Sequence, residues 1–302
     1  MTSEADRQLP IGEEFFLDHV GHFVRDANAA SAALARAGFA PTPVSIQYNP
    51  DGTPIGTGNI TAMLHRGYIE VLFKAADTPL GREFEAALSG HTGVHLTNFA
   101  VVDAEKAHGR LSGQGFAMRP LVQFQRPVGT ETGPDVAAFT VVRLERGAMP
   151  EGRIQILTHR TEHTVWQKRW LDHRNGAQAL VDVVIASPDV AEATARFERF
   201  TGRQATSTRF GQASFVLDRG QIQLLSDAAF GSLFPEIAVP RLPFIGVYAI
   251  RVRSLGETEA ILRSGGLGMR QVGATLVVPF PNELGIGAWV FVENSADLPW
   301  RA

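Results

Sequence analysis

The sequence predicts an α+β protein built from four copies of one unit, each a strand, a helix and three further strands. Three observations predict it: a phrase that recurs four times, an apolar strand that opens each copy, and a capped helix between the two. The phrase is a glycine followed by a short apolar run, and it starts at Gly67, Gly152, Gly220 and Gly287. Successive copies are 85, 68 and 67 residues apart, which indicates one supersecondary unit used four times.

The first two units share features that define their helices. Each opens with an apolar strand, residues 16–24 and 94–102, and an aspartate follows, Asp26 or Asp103. An aspartate at that place can accept backbone N–H groups and begin a helix. Both helical segments end twelve residues after the aspartate at Gly-Phe-Ala, and glycine suits a helix C-terminus. A further helix predicted over residues 79–88 joins the two units.

The third and fourth units follow the same plan with a weaker sequence signal. Their opening strands are predicted over residues 179–185 and 244–250, and their helices over residues 189–200 and 255–263. The closing segment, residues 295–302, is predicted to lie at the surface.

Units taken in pairs predict two domains, each a curved mixed sheet that forms a cup open on one face. The predicted division is a lead-in over residues 1–14, an N-terminal domain over 15–160, a connection over 161–176 and a C-terminal domain over 177–302. A chain of 302 residues is long enough to give each domain its own core.

Composition excludes several classes of function. The chain has 28 basic and 31 acidic residues and a net charge of −3, with no basic stripe, so nucleic acid is not an expected partner. No apolar run is long enough to span a bilayer. We expect a cytoplasmic protein that acts on a small molecule, and a homodimer is compatible with the sequence. The absence of cysteine leaves imidazole, carboxylate, amide and water as the possible metal ligands.

Two motifs carry a resemblance to a known family. The opening Leu-Asp-His-Val-Gly at residues 17–21 and the strand Gly-Tyr-Ile-Glu at residues 67–70, within the fourfold pattern, resemble the vicinal-oxygen-chelate superfamily. That superfamily includes glyoxalase I, methylmalonyl-CoA epimerase and the extradiol dioxygenases. The resemblance implies four βαβββ modules paired into two glyoxalase/dioxygenase-like domains.

The resemblance also implies a metal site inside the N-terminal cup. Carried over residue by residue, His19 and His95 fall on the first-strand ligand positions, and Glu70 and Gln155 on the last-strand positions. Two imidazoles and one carboxylate would suit a divalent ion, either Fe, Mn, Ni or Zn. Where glyoxalase I has a glutamate that is both ligand and base, this chain has Gln155, which can coordinate but cannot accept a proton.

Other interpretations of these residues stay open. A histidine in an apolar strand is more often a core residue than a ligand, and Glu70 could pair with a buried arginine. His159 lies an even number of residues from Gln155 and is expected to face the cup, which makes it and Glu70 the candidate acid–base residues. A histidine exposed at a strand end is the alternative. Tyr68 and Arg153 are expected outside the cup.

The leading functional hypothesis is a glyoxalase-like, metal-dependent isomerase or lyase that acts on a small oxygen-chelating substrate. An Fe(II) extradiol-type dioxygenase and a non-enzymatic small-molecule binding protein of the same fold are the alternatives. No histidine follows His173, so the C-terminal domain is expected to lack a metal site and to serve as a structural, lid or pocket-completing domain.

Overall fold

The computed structural model describes residues 7–49, 51–207 and 211–301, so the predicted lead-in lies partly outside the described residues. The elements of the first half are β1 Phe16–Phe23, α1 Ala27–Arg36, β2 Ser45–Tyr48, β3 Pro54–Met63, β4 Tyr68–Lys74, α2 Pro79–Leu88, β5 Gly93–Ala100, α3 Ala104–Gly113, β6 Val122–Thr130, β7 Gly133–Val142, β8 Arg153–His159 and α4 Glu162–Val165. Those of the second half are β9 Ala177–Ser187, α5 Val190–Thr201, β10 Thr206–Ser207, β11 Ala213–Val216, β12 Gln221–Ser226, α6 Asp227–Leu233, β13 Phe244–Val252, α7 Leu255–Ser264, β14 Arg270–Val272, β15 Thr275–Pro279 and β16 Ala288–Val292.

These elements form four βαβββ modules, so the predicted fold class is confirmed. The eight strands of the first two modules form a closed barrel in the order β1-β4-β3-β2-β6-β7-β8-β5. The eight strands of the last two form an open sheet in the order β10-β11-β12-β9-β13-β16-β15-β14. In every module the last strand runs parallel to the first and pairs with it.

Closure of the first sheet is a difference from the predicted open cup. The strands β2 and β6, which would otherwise be sheet edges, pair with each other at Tyr48 and Gln125. Closing the sheet removes two strand edges that would expose unpaired backbone groups. The interior of the N-terminal half is therefore enclosed on all sides by strands.

The four repeated positions require glycine because of their backbone conformation and, in three of them, because of a close approach to the opening strand. Each has a positive φ, and three of them lie against the opening strand of their own module. A Cβ added at Gly67 would lie 2.7 Å from the carbonyl oxygen of Asp18, and one at Gly152 would lie 2.5 Å from that of His95. Only glycine lets the last strand begin so close to the first.

The predicted helices are also confirmed. Asp26 accepts hydrogen bonds from Asn28 and Ala29, and Asp103 accepts one from Lys106. The third and fourth modules use Asp189 and Ser254 in the same role. The joining helix α2 occupies Pro79–Leu88, as predicted.

The apolar core continues from the barrel into the second sheet, and a separate apolar cluster fills the concave face of that sheet. Phe230 of α6 and Phe234, which immediately follows that helix, belong to this second cluster, together with Leu298 and Trp300 from the chain's end. The prediction that residues 295–302 lie at the surface is wrong for Leu298 and Trp300, because both are buried and Trp300 is only 2% exposed. Among the described residues, no helix is both long and apolar enough to cross a membrane.

Candidate functional site

The interior of the barrel holds a pocket, called the barrel pocket below, at the place where β1, β4, β5 and β8 meet. Its polar floor consists of one residue from each of these strands: His19, Glu70, Asn98 and Gln155. The register brings them together, because Gly21 pairs with Glu70, Asn98 pairs with Gln155, and His19 pairs with Asn98. Three of the four predicted metal-ligand positions thus line one cavity.

His19 is held in one orientation from both sides of its ring. Nδ1 donates to Oδ2 of Asp18 at 2.7 Å, and Nε2 lies 3.4 Å from Oε2 of Glu70. Tyr68 stacks on the imidazole with ring centroids 4.2 Å apart. Burial lowers the pKa of His19, but the hydrogen bonds to Asp18 and Glu70 outweigh it and raise that pKa to about 9. At neutral pH the imidazole of His19 is therefore protonated, and its Nε2 atom is directed at Glu70.

Glu70 is buried yet stays ionised. Burial raises the pKa of Glu70. The hydrogen bond from His19, the positive charge of His19 and a hydrogen bond from Asn59 outweigh burial and bring that pKa below its ordinary value. The Asn59 side chain donates to Oε1 at 2.6 Å, which leaves Oε2 to face His19. A carboxylate buried in an apolar strand needs such partners.

The predicted acid–base residue His159 is buried but is not among the residues that line the barrel pocket. Its Nε2 donates to Oδ1 of Asp18 at 3.0 Å, and Trp166 and Phe139 pack edge-on against its ring. His159 is therefore connected to His19 through the Asp18 carboxylate and has no direct contact with the pocket. Burial raises the pKa of Asp18, but His159 and His19 together hold it well below its usual range.

His95 is the predicted ligand that the structure does not bring to the others. Its ring stacks between Phe23 and His91, and its Nε2 donates to the carbonyl of His91 at 2.9 Å. Burial, and to a smaller extent the nearby His91, lowers the pKa of His95 to about 3. His95 faces a separate cavity, called the outer cleft below, which adjoins the barrel pocket at Arg143, Arg153 and Gln155.

The register explains this departure from the prediction. The carbonyl of Asp18 lies under Gly67 and the carbonyl of His95 lies under Gly152, so His95 corresponds to Asp18, one residue before His19. A shift of one residue moves a side chain to the opposite face of a strand.

A sequence signal for the correct register exists. Asp26 follows His19 by seven residues, whereas Asp103 follows His95 by eight and Leu96 by seven. Asp189 and Ser254 follow Asp182 and Val247 by seven as well. Counting back from the helix cap would have placed Leu96, and then Asn98 two residues on, on the pocket face.

Two further residues lie in the pocket although the prediction put them outside. Tyr68 and Arg153 precede Glu70 and Gln155 by two residues, so they share a face with them, and both line the barrel pocket. Sequence reasoning also missed Asn59, Asn98 and Arg126, since an isolated amide or arginine in a strand has no distinctive pattern.

The residues present fit a divalent ion held by one imidazole, one carboxylate and amide oxygens. Nε2 of His19 and Oε2 of Glu70 face each other, and the carboxylate of Asp18 on the other ring nitrogen is the usual outer partner of a metal-bound histidine. Oδ1 of Asn98 is buried and has no hydrogen-bond partner among the described residues. No group of three His, Asp or Glu side chains converges within those residues, so the third and fourth donors would be the neutral oxygens of Asn98 and Gln155.

Solved structures of similar architecture define the class of fold. A hypothetical protein from Staphylococcus aureus aligns with a TM-score of 0.65 and 10% identity, covering 92% of this chain and 98% of its own. A variant of 4-hydroxymandelate synthase from Streptomyces coelicolor aligns with a TM-score of 0.58 and 14% identity, covering 92% of each chain. An Mn(II)-bound glyoxalase from Novosphingobium aromaticivorans aligns with a TM-score of 0.52 and 11% identity, covering 92% of this chain and 82% of its own. The fold is that of the vicinal-oxygen-chelate class.

The particular family follows from the sequence. The family described as glyoxalase-like domain matches residues 17–201, which is more than half of the chain, and the protein belongs to that family. A comparison with the curated proteins finds no match.

Proposed function

We propose that this protein is a metal-dependent enzyme that transforms a small organic molecule in the barrel pocket. The observation that carries the proposal is the pair formed by His19 and Glu70, whose Nε2 and Oε2 atoms lie 3.4 Å apart on the floor of the barrel pocket. The hydrogen bond that His19 donates to Asp18 and the one that Glu70 accepts from Asn59 keep both groups in place, as a preorganised site requires. Membership of the glyoxalase-like domain family supports the same conclusion.

His19 and Glu70 would hold the ion, with Asn98 and Gln155 completing its coordination. When bound, such an ion acts as a Lewis acid toward a substrate oxygen. Within the chain, Asp18 keeps the proton of His19 on Nδ1, so Nε2 is the nitrogen that would lose its proton and coordinate. Glu70 is the only acidic side chain among the described residues that line the pocket, so it is also the group that can accept a substrate proton.

The donor set favours an isomerase or lyase over a ring-cleaving dioxygenase. Non-haem Fe(II) oxygenases use two histidines and one carboxylate on one face of the ion. The barrel pocket contributes one histidine, because His95 lies in the outer cleft. A donor set of one imidazole, one carboxylate and amide oxygens suits an ion that remains in one oxidation state, such as Mn(II) or Zn(II).

Calorimetric titration of EDTA-treated protein with Mn²⁺ and Zn²⁺ tests the proposal. Wild-type protein is expected to bind about one equivalent of ion, as a single mononuclear site requires. His19→Ala and Glu70→Gln should abolish this binding, and His65→Ala, at an exposed position, should retain it. Binding of less than a tenth of an equivalent, or binding that survives in both site variants, would overturn it in favour of a metal-free binding protein.

A further inference from the structure

Arg126 is a buried cation that the site described so far does not use. It lies on β6, is 8% exposed and lines the barrel pocket. Within residues 7–49, 51–207 and 211–301, its guanidinium has no hydrogen bond and no carboxylate within 4.0 Å. Arginine is almost never buried without a partner, because removing its charge from water is costly. An anion that is not part of the chain would satisfy it.

The nearest acid cannot serve as that partner. Glu70 contributes to the electrostatic surroundings of Arg126, but its two oxygens already face Asn59 and His19. Burial is the main influence on Arg126 and lowers its pKa, with Tyr68 and Glu70 acting in the opposite direction. A second carboxylate between Arg126 and the polar floor would therefore meet a desolvated, fork-shaped donor, and arginine binds carboxylates through two parallel hydrogen bonds.

The cavity that adjoins the barrel pocket is also cationic. Arg143 and Arg153 line both the barrel pocket and the outer cleft. Arg143 has no ion-pair partner among the described residues and packs over Phe124, and Arg153 lies 3.7 Å from Glu83. The outer cleft adds three more arginines against two glutamates: Arg119, Arg146, Arg241, Glu83 and Glu145. In a chain whose net charge is −3, this concentration of positive charge would attract anions toward the pocket.

One part of the pocket wall is apolar. Its members include the aromatic rings of Phe124 and Phe139 and the aliphatic side chains of Leu72, Leu96, Val141 and Leu157. Such a wall binds the hydrocarbon part of a ligand by removing it from water. The pocket thus combines one buried cation with a surface for an apolar or aromatic body.

We propose that the substrate is a small organic acid, whose carboxylate pairs with Arg126 while its apolar body packs against Phe124 and Phe139. This inference rests on the proposed function only in placing the substrate in the same pocket. Arg143 and Arg153 guide the acid inward, and the reacting atoms lie over the pair His19 and Glu70. The acid's own charge supplies the anion that the chain lacks around Arg126.

Binding of two acid and amide pairs to EDTA-treated protein tests this inference without a metal and without turnover. Phenylacetate and phenylacetamide differ in charge but hardly in shape, and butyrate and butyramide form a matched aliphatic pair. We expect wild-type protein to bind at least one acid roughly 10- to 100-fold more tightly than its amide, as a charge-assisted bidentate contact implies. Equal affinity for acid and amide, or no binding of either acid, would overturn the proposal.

Variants locate the anion. Arg126→Gln should lose about tenfold or more in affinity for the acid and change little for the amide. Arg169→Gln is the matched control, because Arg169 lines the neighbouring cavity that Arg126 also borders but does not line the barrel pocket. A loss in Arg169→Gln, or unchanged affinity in Arg126→Gln, would overturn the assignment to the barrel pocket.

Two further measurements keep the result interpretable. If Arg126→Gln does not fold, Arg126→Lys, which keeps the charge but not the fork, should bind the acid more weakly than wild type and still prefer it to the amide. His65→Ala, which removes an exposed imidazole outside the barrel pocket, should keep its affinity for phenylacetate within about threefold. Metal binding without acid preference would then refute this inference alone, and acid preference without metal binding would refute the metal-dependent function alone.

Discussion

Four strand positions of the barrel have structural equivalents in the second sheet, but their surroundings differ between the two halves of the molecule. By register, the floor of the barrel pocket corresponds to four residues of the second sheet: His19 to Asp182, Glu70 to Gln223, Asn98 to Ala249 and Gln155 to Val290. In the barrel these positions face a cavity. In the second sheet they are covered by the chain itself.

The covering consists of α6 and the chain's end. Trp300 Nε1 donates to Oδ2 of Asp182 at 2.7 Å, and Arg301 forms an ion pair with the same carboxylate. Gln223 also donates to Asp182, at 3.1 Å. The comparison teaches that a module pair can keep its sheet and lose its site when an internal segment occupies the position where a ligand would bind.

Removing the segment that fills the second sheet is expected to have the largest effect. Trp300→Ala should lower the free energy of unfolding by roughly 3–5 kcal/mol, because it leaves a cavity and removes one of the hydrogen bonds to the buried Asp182. Chemical denaturation followed by circular dichroism measures this. Trp170→Ala, at a partly exposed position in the connection, is the matched control and should cost less. Equal losses in the two variants would mean that the tail does not serve as core.

Within the barrel, the outer partner of His19 can be weakened without touching the pocket. Asp18→Asn should reduce affinity for Mn²⁺ or Zn²⁺ by about 10- to 100-fold, the range found when the outer partner of a metal-bound histidine is removed. Titration calorimetry measures it. Asp26→Asn changes the same residue type at a helix cap, where asparagine serves equally well, and should retain wild-type affinity. Unchanged affinity in Asp18→Asn would exclude His19 as a ligand.

Two histidines on one strand predict opposite pH dependences in metal-free protein. His19 has a pKa raised to about 9, so the native state binds more protons than the unfolded state from about pH 6.5 upward, and stability falls as pH rises toward 9. His22, buried between Tyr248 and the Leu284 carbonyl, has a pKa lowered by burial to about 4. Its contribution to stability is present above about pH 6.5 and is lost as pH falls toward 4.

Unfolding free energies measured from pH 4 to 9 in EDTA test this pair of signs. One titrating group gives a slope of up to about 1.4 kcal/mol per pH unit. His19→Gln should flatten the alkaline side, and His22→Gln should reduce but not abolish the acid-side slope, because His91, His95 and His173 also have lowered pKa values from burial. A wild-type profile that is flat on both sides would contradict the prediction.

The smallest effect is expected where the predicted and observed registers disagree. His95→Ala should change affinity for the metal by no more than about threefold, since the side chain lies outside the barrel pocket and distant changes add independently. His19→Ala in the same titration provides the scale. A loss in His95→Ala as large as that in His19→Ala would show that His95 reaches the ion, and the placement argued above would be wrong.

Local patterns account for the parts of the fold that the sequence predicted. Two kinds of signal act over only a few residues: the helix caps at Asp26, Asp103 and Asp189, and the glycines that precede each last strand. They can therefore be recognised in the sequence without knowledge of the partner strands. The resemblance to the vicinal-oxygen-chelate superfamily pointed to His19, Glu70 and Gln155, and the last two each lie three residues after the glycine of their module.

The remaining site residues could not be found in this way. Asn98 became part of the floor only because β1 and β5 are paired with His19 opposite Asn98. Arg126 entered the pocket because β6 belongs to the barrel that closure between β2 and β6 completes. Neither pairing has a local signal, since strand pairing depends on segments far apart in the sequence.

The sequence by itself determined the number of modules, their helix boundaries and the strand positions where a site could form. The tertiary structure decided which of two adjacent residues, His95 or Leu96, faces the pocket. It also decided that the chain's end packs against the second sheet, whereas the interior of the barrel keeps a cavity. The physical reason is the same for both. A strand exposes alternate residues to alternate faces, so a slip of one residue inverts the choice, and only the hydrogen-bonded register and the packing of distant segments select between the alternatives.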